Sequence, residues 1–207
     1  MVLALKYVVV SLQRSGTFST AKYLNWLGIP TIHWPTKHGG INLEDKVAGR
    51  ESDRSHVTDA LSPVLHEFEA VADVPCPVLY KELLIRYPHA RFILVYRSAF
   101  DWVRSNRAHH LRFGTDLTPY ERVVYWYYFD WRPMSLDELT DNQLIWMHAQ
   151  HAADVIAFFQ REASANLGVF DLYDRDVGPK IAKFLGVQTE IAFPHYNAGP
   201  ELAYVPR

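Results

Sequence analysis

Near the start of the chain, the hydrophobic pattern changes its period. A run of mostly β-branched apolar residues at 7–10 leads into the polar segment 13–17, after which apolar residues recur at helical spacing from Phe18 to Leu27. Gly28 then ends the helical pattern. The pattern predicts a strand, a loop and a helix, and such a turn directs backbone N–H groups and the positive end of a helix dipole at one place.

Strand and helix patterns alternate along the rest of the chain. Four short apolar runs have the composition of strands, at residues 29–33, 77–80, 91–96 and 167–173. Four longer segments have helical spacing, at residues 62–72, 98–111, 144–165 and 179–185. Residues 43–55 form a charged surface helix or a mobile segment, and residues 113–141 are the least regular part. The alternation predicts a doubly wound α/β fold with a mostly parallel sheet.

Composition narrows the classes of function. With 207 residues, 49% of them hydrophobic, one domain over residues 1–207 with a substantial core is expected. A net charge of −2 gives no support for a nucleic-acid-binding protein, and the single cysteine, Cys76, excludes an internal disulfide and a cysteine-based zinc site. No stretch approaches the ~18 apolar residues of a membrane span, and no signal peptide is recognisable, so a cytoplasmic protein is expected.

Arginine and hydroxyl side chains follow two of the predicted strands. Arg14 lies in the first loop with Ser15 and Thr17, and Arg97 follows the strand at 91–96, with Ser105 eight residues later. Because the carboxyl ends of parallel strands bind ligands in such sheets, both arginines are expected on one edge, where they suit a ligand with two phosphate-like groups. The alternatives are an ordinary capped turn and a solvated arginine. The loop is not a Walker A motif, since no lysine precedes Thr17.

These segments resemble two motifs of the sulfotransferases, which use 3′-phosphoadenosine 5′-phosphosulfate (PAPS). Residues 13–17 resemble the loop that holds the 5′-phosphosulfate, and residues 96–105 resemble the motif whose Arg and Ser, eight residues apart, hold the 3′-phosphate. Further matching stretches occur in order at residues 27–28, 33, 73–76, 82–83, 87–94, 184–186 and 193–197. The chain therefore looks like a short sulfotransferase-like family of P-loop proteins, which implies a three-layer α/β/α domain.

The resemblance implies transfer of a sulfuryl group from PAPS to a hydroxyl or amine, with no metal required. The residues that it assigns to nucleotide binding are Gln13, Arg14, Ser15, Gly16, Thr17, Phe18, Arg97 and Ser105. Arg14 stands where better-known sulfotransferases usually have lysine. Its charge, with the backbone N–H groups of the loop, would stabilise the leaving phosphate.

The acceptor hydroxyl needs a general base, and the sequence offers two candidates. Glu82 follows the predicted strand at 77–80 and is preferred, while His33 ends the predicted strand at 29–33. Lys81 is a candidate donor to the transferred sulfuryl group. The ordinary alternatives are a helix-capping acid for Glu82, a packed histidine for His33 and a surface lysine for Lys81.

Other features leave alternatives open. The aromatic cluster at 125–131 either lines an acceptor pocket or packs a lid or the sheet face. The histidine pairs 109–110 and 148/151 are interpreted as helix residues and not as metal ligands. A P-loop nucleotide kinase or NTPase, and a catalytically inactive nucleotide-binding relative, are the competing functions. The acceptor and the oligomeric state do not follow from the sequence, and the apolar tail (Leu202, Tyr204, Val205) would dock on a partner or on its own chain.

Overall fold

The computed structural model describes residues 5–196, and its centre is a five-stranded parallel sheet. The strands of the sheet are β1 (Tyr7–Val9), β2 (Thr31–His33), β5 (Ala70–Ala72), β6 (Arg91–Tyr96) and β7 (Leu167–Asp171), in the spatial order β2-β5-β1-β6-β7. A separate antiparallel hairpin consists of β3 (Lys37–His38) and β4 (Ile41–Asn42). The apolar tail at residues 202–205 lies outside the described residues.

Helices cover both faces of the sheet. They are α1 (Thr17–Trp26), α2 (Leu43–Val47), α3 (Arg54–Glu67), α4 (Tyr80–Arg86), α5 (Ala99–Phe113), α6 (Pro119–Phe129), α7 (Asp141–Glu162) and α8 (Val177–Leu185). Within residues 5–196, none of these helices is both long and apolar enough to cross a membrane.

Alternation along the strands separates two hydrophobic cores. Val9 and Ile93 pack with α1 and α8 on one face, whereas Val8, Phe92 and Leu94 pack with α2 to α7 on the other. Successive side chains of a strand point to opposite faces, so each strand contributes to both cores. The predicted three-layer α/β/α fold with a parallel sheet is confirmed.

Two predicted elements between residues 62 and 80 are wrong. The predicted helix at 62–72 ends in a strand, because α3 begins earlier, at Arg54, and stops at Glu67 before β5. The predicted strand at 77–80 is instead a 3₁₀ turn, Cys76–Val78, followed by the start of α4. These residues are fully buried, and a short buried apolar run does not distinguish a strand from a helical turn by periodicity.

The segment at 113–141, which the sequence leaves irregular, contains a well-formed helix. Pro119 opens α6, and Thr118 and Glu121 form a capping box in which each side chain bonds the other residue's backbone N–H. The segment at 43–55 contains α2 and the first residues of α3. Helix α6 brings the predicted aromatic cluster onto the face of the sheet opposite α1.

Because all five strands are parallel, the segments that follow them meet at one edge. Register pairs Val9 of β1 with Ala72 of β5 and with Ile93 of β6. The loop before α1 therefore lies beside Asp73 on one side and close to Arg97 on the other. Ligands of open parallel sheets bind at this carboxyl edge.

Candidate active site

The loop between β1 and α1 is shaped to bind an anion. Arg14 and Gly16 have left-handed backbones, with φ of 64° and 80°. Among residues 5–196, the backbone N–H groups of Gly16, Thr17 and Phe18 have no hydrogen-bond acceptor. Since they lie at the start of α1, these donors and the helix dipole favour a negative charge at the same place.

Gly16 is required at its position for two reasons. Its φ of 80° is costly for a residue with a Cβ atom, and an added Cβ would lie 2.6 Å from Cδ1 of Leu172, just past β7. The close approach of Leu172 fixes the loop against the neighbouring part of the sheet.

Helices α5 and α6 hold the loop from the other side. The indole Nε1 of buried Trp102 donates to the Gln13 carbonyl at 2.6 Å. The Gln13 side chain donates to the Tyr125 hydroxyl at 3.2 Å, and that hydroxyl also accepts from Asn106 at 3.1 Å. The loop is therefore preorganised by bonds to its backbone and to its first side chain.

Arg97 joins the loop to the end of β7. It is 7% exposed, and its guanidinium donates to the Arg14 carbonyl at 3.2 Å and to the Tyr173 hydroxyl at 2.7 Å. The structure thus brings Arg14 and Arg97 to one edge. Ser105 lies partly buried in the second turn of α5, and no contact links it to Arg97 within the described residues.

Several buried donors at the loop have no partner. They are Nε of Arg14, Oγ of Ser15 and Nε of Arg97. Burial lowers the pKa of Arg14. The charge of Asp73 raises this pKa, and the charge of Arg97 lowers it further. A guanidinium nevertheless stays charged in proteins. Buried unpaired donors are costly, so their concentration here suits a bound anion that would complete their hydrogen bonds.

Thr17, His33 and Asp73 form a polar cluster at the ends of β1, β2 and β5. The His33 Nε2 lies 2.7 Å from Oδ2 of Asp73, and the Thr17 hydroxyl donates to the same oxygen at 3.2 Å and lies 3.3 Å from His33 Nε2. The other Asp73 oxygen accepts from the Val74 N–H at 2.8 Å. The sequence does not predict Asp73 as a site residue, because residues 70–72 before it continue a helical pattern although the structure has β5 there.

Glu82 and Lys81 lie apart from this cluster. Glu82 pairs with Arg54 of α3 at 2.8 Å, and the Lys81 ammonium lies 5.6 to 5.9 Å from the ring centroids of Tyr80 and Tyr127. Over the part of the chain that the structure describes, neither side chain contacts residues 13–18. Of the two predicted bases, His33 is the one that contacts the loop.

His148 and His151 have structural surroundings on α7. Burial, the largest cause, lowers the pKa of both His148 and His151 to about 4. Neutral His151 donates from Nε2 to the Val10 carbonyl and accepts the Tyr128 hydroxyl at Nδ1, both at 2.7 Å. No group of three or more metal-ligating side chains occurs among residues 5–196.

The aromatic cluster at 125–131 divides between the two sides of α6. Tyr125 and Tyr128 point towards the loop and α7 through the bonds described above. Trp126 and Tyr127 line a small cavity with Glu51 and Arg54, whose guanidinium lies 4.9 Å from the Tyr127 ring centroid. Most of the cluster therefore packs helices together.

Comparison of the sequence with models of protein families identifies the family of the chain. The family model described as "Sulfotransferase domain" matches residues 6–202. Among curated proteins, no sequence matches the chain.

Solved structures with the same fold include a sulfotransferase from Alicyclobacillus acidocaldarius, with TM-score 0.56, 16% identity and coverage of 97% of this chain and 89% of that one. A shikimate kinase from Bacteroides thetaiotaomicron gives TM-score 0.54 and 14% identity, over 88% of this chain and 99% of that one. Mouse sulfotransferase SULT7A1, solved in complex with PAP, gives TM-score 0.45 and 13% identity, over 90% of this chain and 59% of that one. At such identities the first two likenesses show the fold alone. The family model, however, spans nearly the whole chain, and the protein therefore belongs to the sulfotransferase domain family.

Proposed function

We propose that this protein is a sulfotransferase that moves a sulfuryl group from PAPS to a hydroxyl or amine of an acceptor. The observation that carries the proposal is the concentration of unpartnered donors at the loop: buried Arg14 Nε and Ser15 Oγ, with the free N–H groups at the start of α1. Family membership supports the reaction type, and Arg97 on the same edge suits a second phosphate.

The transfer follows the in-line pattern of phosphoryl transfer. The acceptor oxygen or nitrogen attacks sulfur, the bond from sulfur to the bridging oxygen breaks, and the nucleotide leaves as its 3′,5′-bisphosphate (PAP). Arg14 and the N–H groups of residues 16–18 stabilise the negative charge that grows on the leaving phosphate. These groups are already fixed by Trp102 and Arg97, so little reorganisation accompanies the reaction.

His33 is the better-placed general base of the two candidates. Its Nε2–H is held by the Asp73 carboxylate at 2.7 Å, which leaves Nδ1 with a lone pair for the acceptor's proton. Asp73 orients the ring and stabilises the imidazolium that forms. Glu82, by contrast, is already paired with Arg54 at 2.8 Å.

A thermal-shift titration with PAP tests the proposal. PAP at 100 times its dissociation constant is expected to stabilise the fold by about 2.7 kcal/mol, while AMP gives a smaller shift at equal concentration. Arg14→Ala and Arg97→Ala should lose the shift. Arg104→Ala is the matched control, because exposed Arg104 on α5 pairs with Asp101 and should keep it. Absence of a PAP shift in the parent protein would overturn the proposal.

A phosphoryl-transfer function is the second candidate, and one contact favours it. Thr17 and Asp73 lie 3.2 Å apart, and P-loop NTPases use a loop Ser or Thr and a strand-end Asp to hold Mg²⁺. Two features weigh against this candidate. No lysine occurs in residues 13–17, and His33 Nε2 already contacts the Asp73 oxygen that would have to bind the metal. A shift with ATP and magnesium, and none with PAP, would favour this candidate.

A further inference from the structure

Residues 193–196 follow α8 and lie against α1, and the proposed function gives them no role. They are the described part of the stretch 193–197, one of those that resemble the sulfotransferase-like family. Phe193 is 8% exposed, and its ring centroid lies 5.4 Å from that of Tyr23 on α1. A Cβ added at Gly178 of α8 would lie 3.0 Å from the Cβ of Phe193. The segment is therefore packed closely on both helices.

Tyr196 lies against the first turns of α1. Its backbone N–H donates to the hydroxyl of buried Ser19 at 3.0 Å. Its ring centroid lies 5.4 Å from that of Phe18 and 6.2 Å from that of Trp26. A main-chain hydrogen bond and two ring contacts thus fix the position of a side chain that is still 45% exposed.

Phe18 connects Tyr196 with the proposed base. The Phe18 ring meets the His33 ring edge-on, at a centroid distance of 5.2 Å and an interplanar angle of 81°, and it meets the Tyr196 ring at 75°. Both are favourable edge-to-face arrangements of aromatic rings. Three rings in contact therefore lead from Tyr196 to His33.

These contacts matter because hydrogen bonds hold His33 at one nitrogen. Among the described residues, Asp73 and Thr17 are the polar partners of its ring, and both contact Nε2. A ring bonded at one nitrogen can still turn about that nitrogen, and such turning moves Nδ1, the atom that would take the acceptor's proton. The edge contact with Phe18 restricts this motion, and general-base catalysis depends on the position of the base.

We propose that Tyr196 is a positioning residue of the active site: through the ring of Phe18, it holds the His33 imidazole with Nδ1 in place for the acceptor. This inference rests on the proposed function, in which His33 is the general base. It gives a role to residues 193–196, which bring Tyr196 to α1. It also gives a role to the side chain of Phe18, whose backbone alone enters the proposed nucleotide binding.

Nuclear magnetic resonance of the histidine rings tests this role without an acceptor. Protein labelled with ¹⁵N-histidine is measured at pH 8.5, about two units above the usual pKa of histidine, and His33→Asn identifies the His33 signals. In the parent, His33 is expected to carry its proton on Nε2. Tyr196→Ala keeps the main-chain bond to Ser19 but frees the rings. Both tautomers of His33 should then be populated, so that its two nitrogen shifts move towards each other.

Two further variants complete the comparison. Tyr196→Phe keeps the ring and should give the His33 signals of the parent. His195→Ala is the matched control, because His195 is the exposed neighbour of Tyr196 and its ring lies 5.9 Å from that of Phe193. This change should leave the His33 signals where they are in the parent.

Turnover shows whether the position of His33 matters for the reaction. With labelled PAPS and an acceptor found by screening, Tyr196→Ala should lower kcat by about tenfold, because a misplaced catalytic group can cost that much or more. KM for PAPS and the affinity for PAP should stay as in the parent. In a His33→Asn background the same change should have no further effect, since residues that act as a unit are not additive.

The outcomes separate this inference from the proposed function. Absence of PAP binding in the parent would overturn the proposed function and this inference with it. If PAP binds normally, parent-like His33 signals in Tyr196→Ala would overturn the inference alone. An equal loss of kcat from Tyr196→Ala with His33 present and with His33→Asn would also overturn it.

Discussion

His33 is coupled to Asp73 and Thr17 by distances of 2.7 and 3.3 Å, and this coupling decides how its role can be tested. His33→Asn removes the imidazole while keeping a polar side chain, and we expect it to lower turnover by about 10²- to 10⁴-fold, the usual contribution of a general base. Binding of PAP should change little, because the loop donors are intact.

Glu82→Gln is the matched comparison for that measurement, since Glu82 was the base preferred from the sequence. Transfer from labelled PAPS to an acceptor found by screening is measured for both variants across pH. Loss of turnover in Glu82→Gln together with normal turnover in His33→Asn would reverse the assignment.

The burial of His151 predicts how the free energy of unfolding depends on pH. Burial lowers its folded-state pKa to about 4, below the value of 6.5 expected in the unfolded chain. Above pH 6.5 both states are neutral and the histidine contributes no pH dependence. As the pH falls from 6.5 to 4, the unfolded chain binds a proton that the folded chain refuses, so stability falls, by on the order of 3 kcal/mol for such a shift.

The measurement is urea unfolding at pH 7.5 and pH 5. His151→Gln keeps a donor for the Val10 carbonyl but does not titrate, so its loss of stability between these pH values should be smaller than the parent's. His89→Gln alters an exposed histidine and serves as the control. Equal losses in the parent and in His151→Gln would contradict the prediction.

At the scale of elements, α5 holds the loop between β1 and α1 through the bond from Trp102 to the Gln13 carbonyl. Trp102→Phe removes the donor to the Gln13 carbonyl and keeps most of the ring packing. A buried carbonyl that loses its partner costs about 1 to 3 kcal/mol, so we expect a loss of stability in that range and weaker binding of PAP. Urea unfolding and calorimetric titration measure the two effects. Unchanged PAP affinity in Trp102→Phe would show that the loop does not need this bond.

Element by element, the sequence predicted the parts whose signals are local. The first strand, its loop and α1 were predicted because a β-branched run, a glycine and a helical period occur within one short segment. The sequence does not predict strand β5, because Ala70-Val71-Ala72 is short, has no alternation of polar and apolar residues and follows a helical pattern. It is a strand because it pairs on both sides, with β2 and with β1.

The same distinction holds for the site. Arg14 and Arg97 could be placed from the rule that ligands bind at strand ends. Asp73 could not, since its strand was hidden, and the contact of His33 with Thr17 depends on the spatial order β2-β5-β1, which puts Asp73 between them. The spatial order of strands is a property of the whole sheet and cannot be predicted from a short window of sequence.

At the scale of the whole molecule, a buried cluster of ion pairs lies away from the candidate active site. Glu51, 2% exposed, pairs with Arg122 at 2.9 Å and Arg132 at 3.3 Å and ties the segment before α3 to α6. Burial opposes its ionisation, but backbone hydrogen bonds and Arg122 prevail and lower the pKa of Glu51.

Glu51→Gln is therefore expected to destabilise the fold by about 3 kcal/mol, because Arg122, whose side chain is 11% exposed, loses its counter-charge. The affinity of the folded protein for PAP should be unchanged, since none of these side chains contacts the loop. Urea unfolding and PAP titration test the two halves of the prediction. A weaker PAP affinity per folded molecule would contradict the separation.

The bond from Arg97 to the Arg14 carbonyl also has a consequence for selectivity among nucleotides. On the proposed function, the 3′-phosphate bonds the unpartnered Nε of Arg97, while another nitrogen of the same guanidinium holds the Arg14 carbonyl of the loop that binds the other end of the ligand. ATP has no phosphate at its 3′ position and would contact the loop alone. On this proposal the two ends of the nucleotide are bound by connected groups, so a triphosphate that fits one end only leaves a buried arginine nitrogen without a partner.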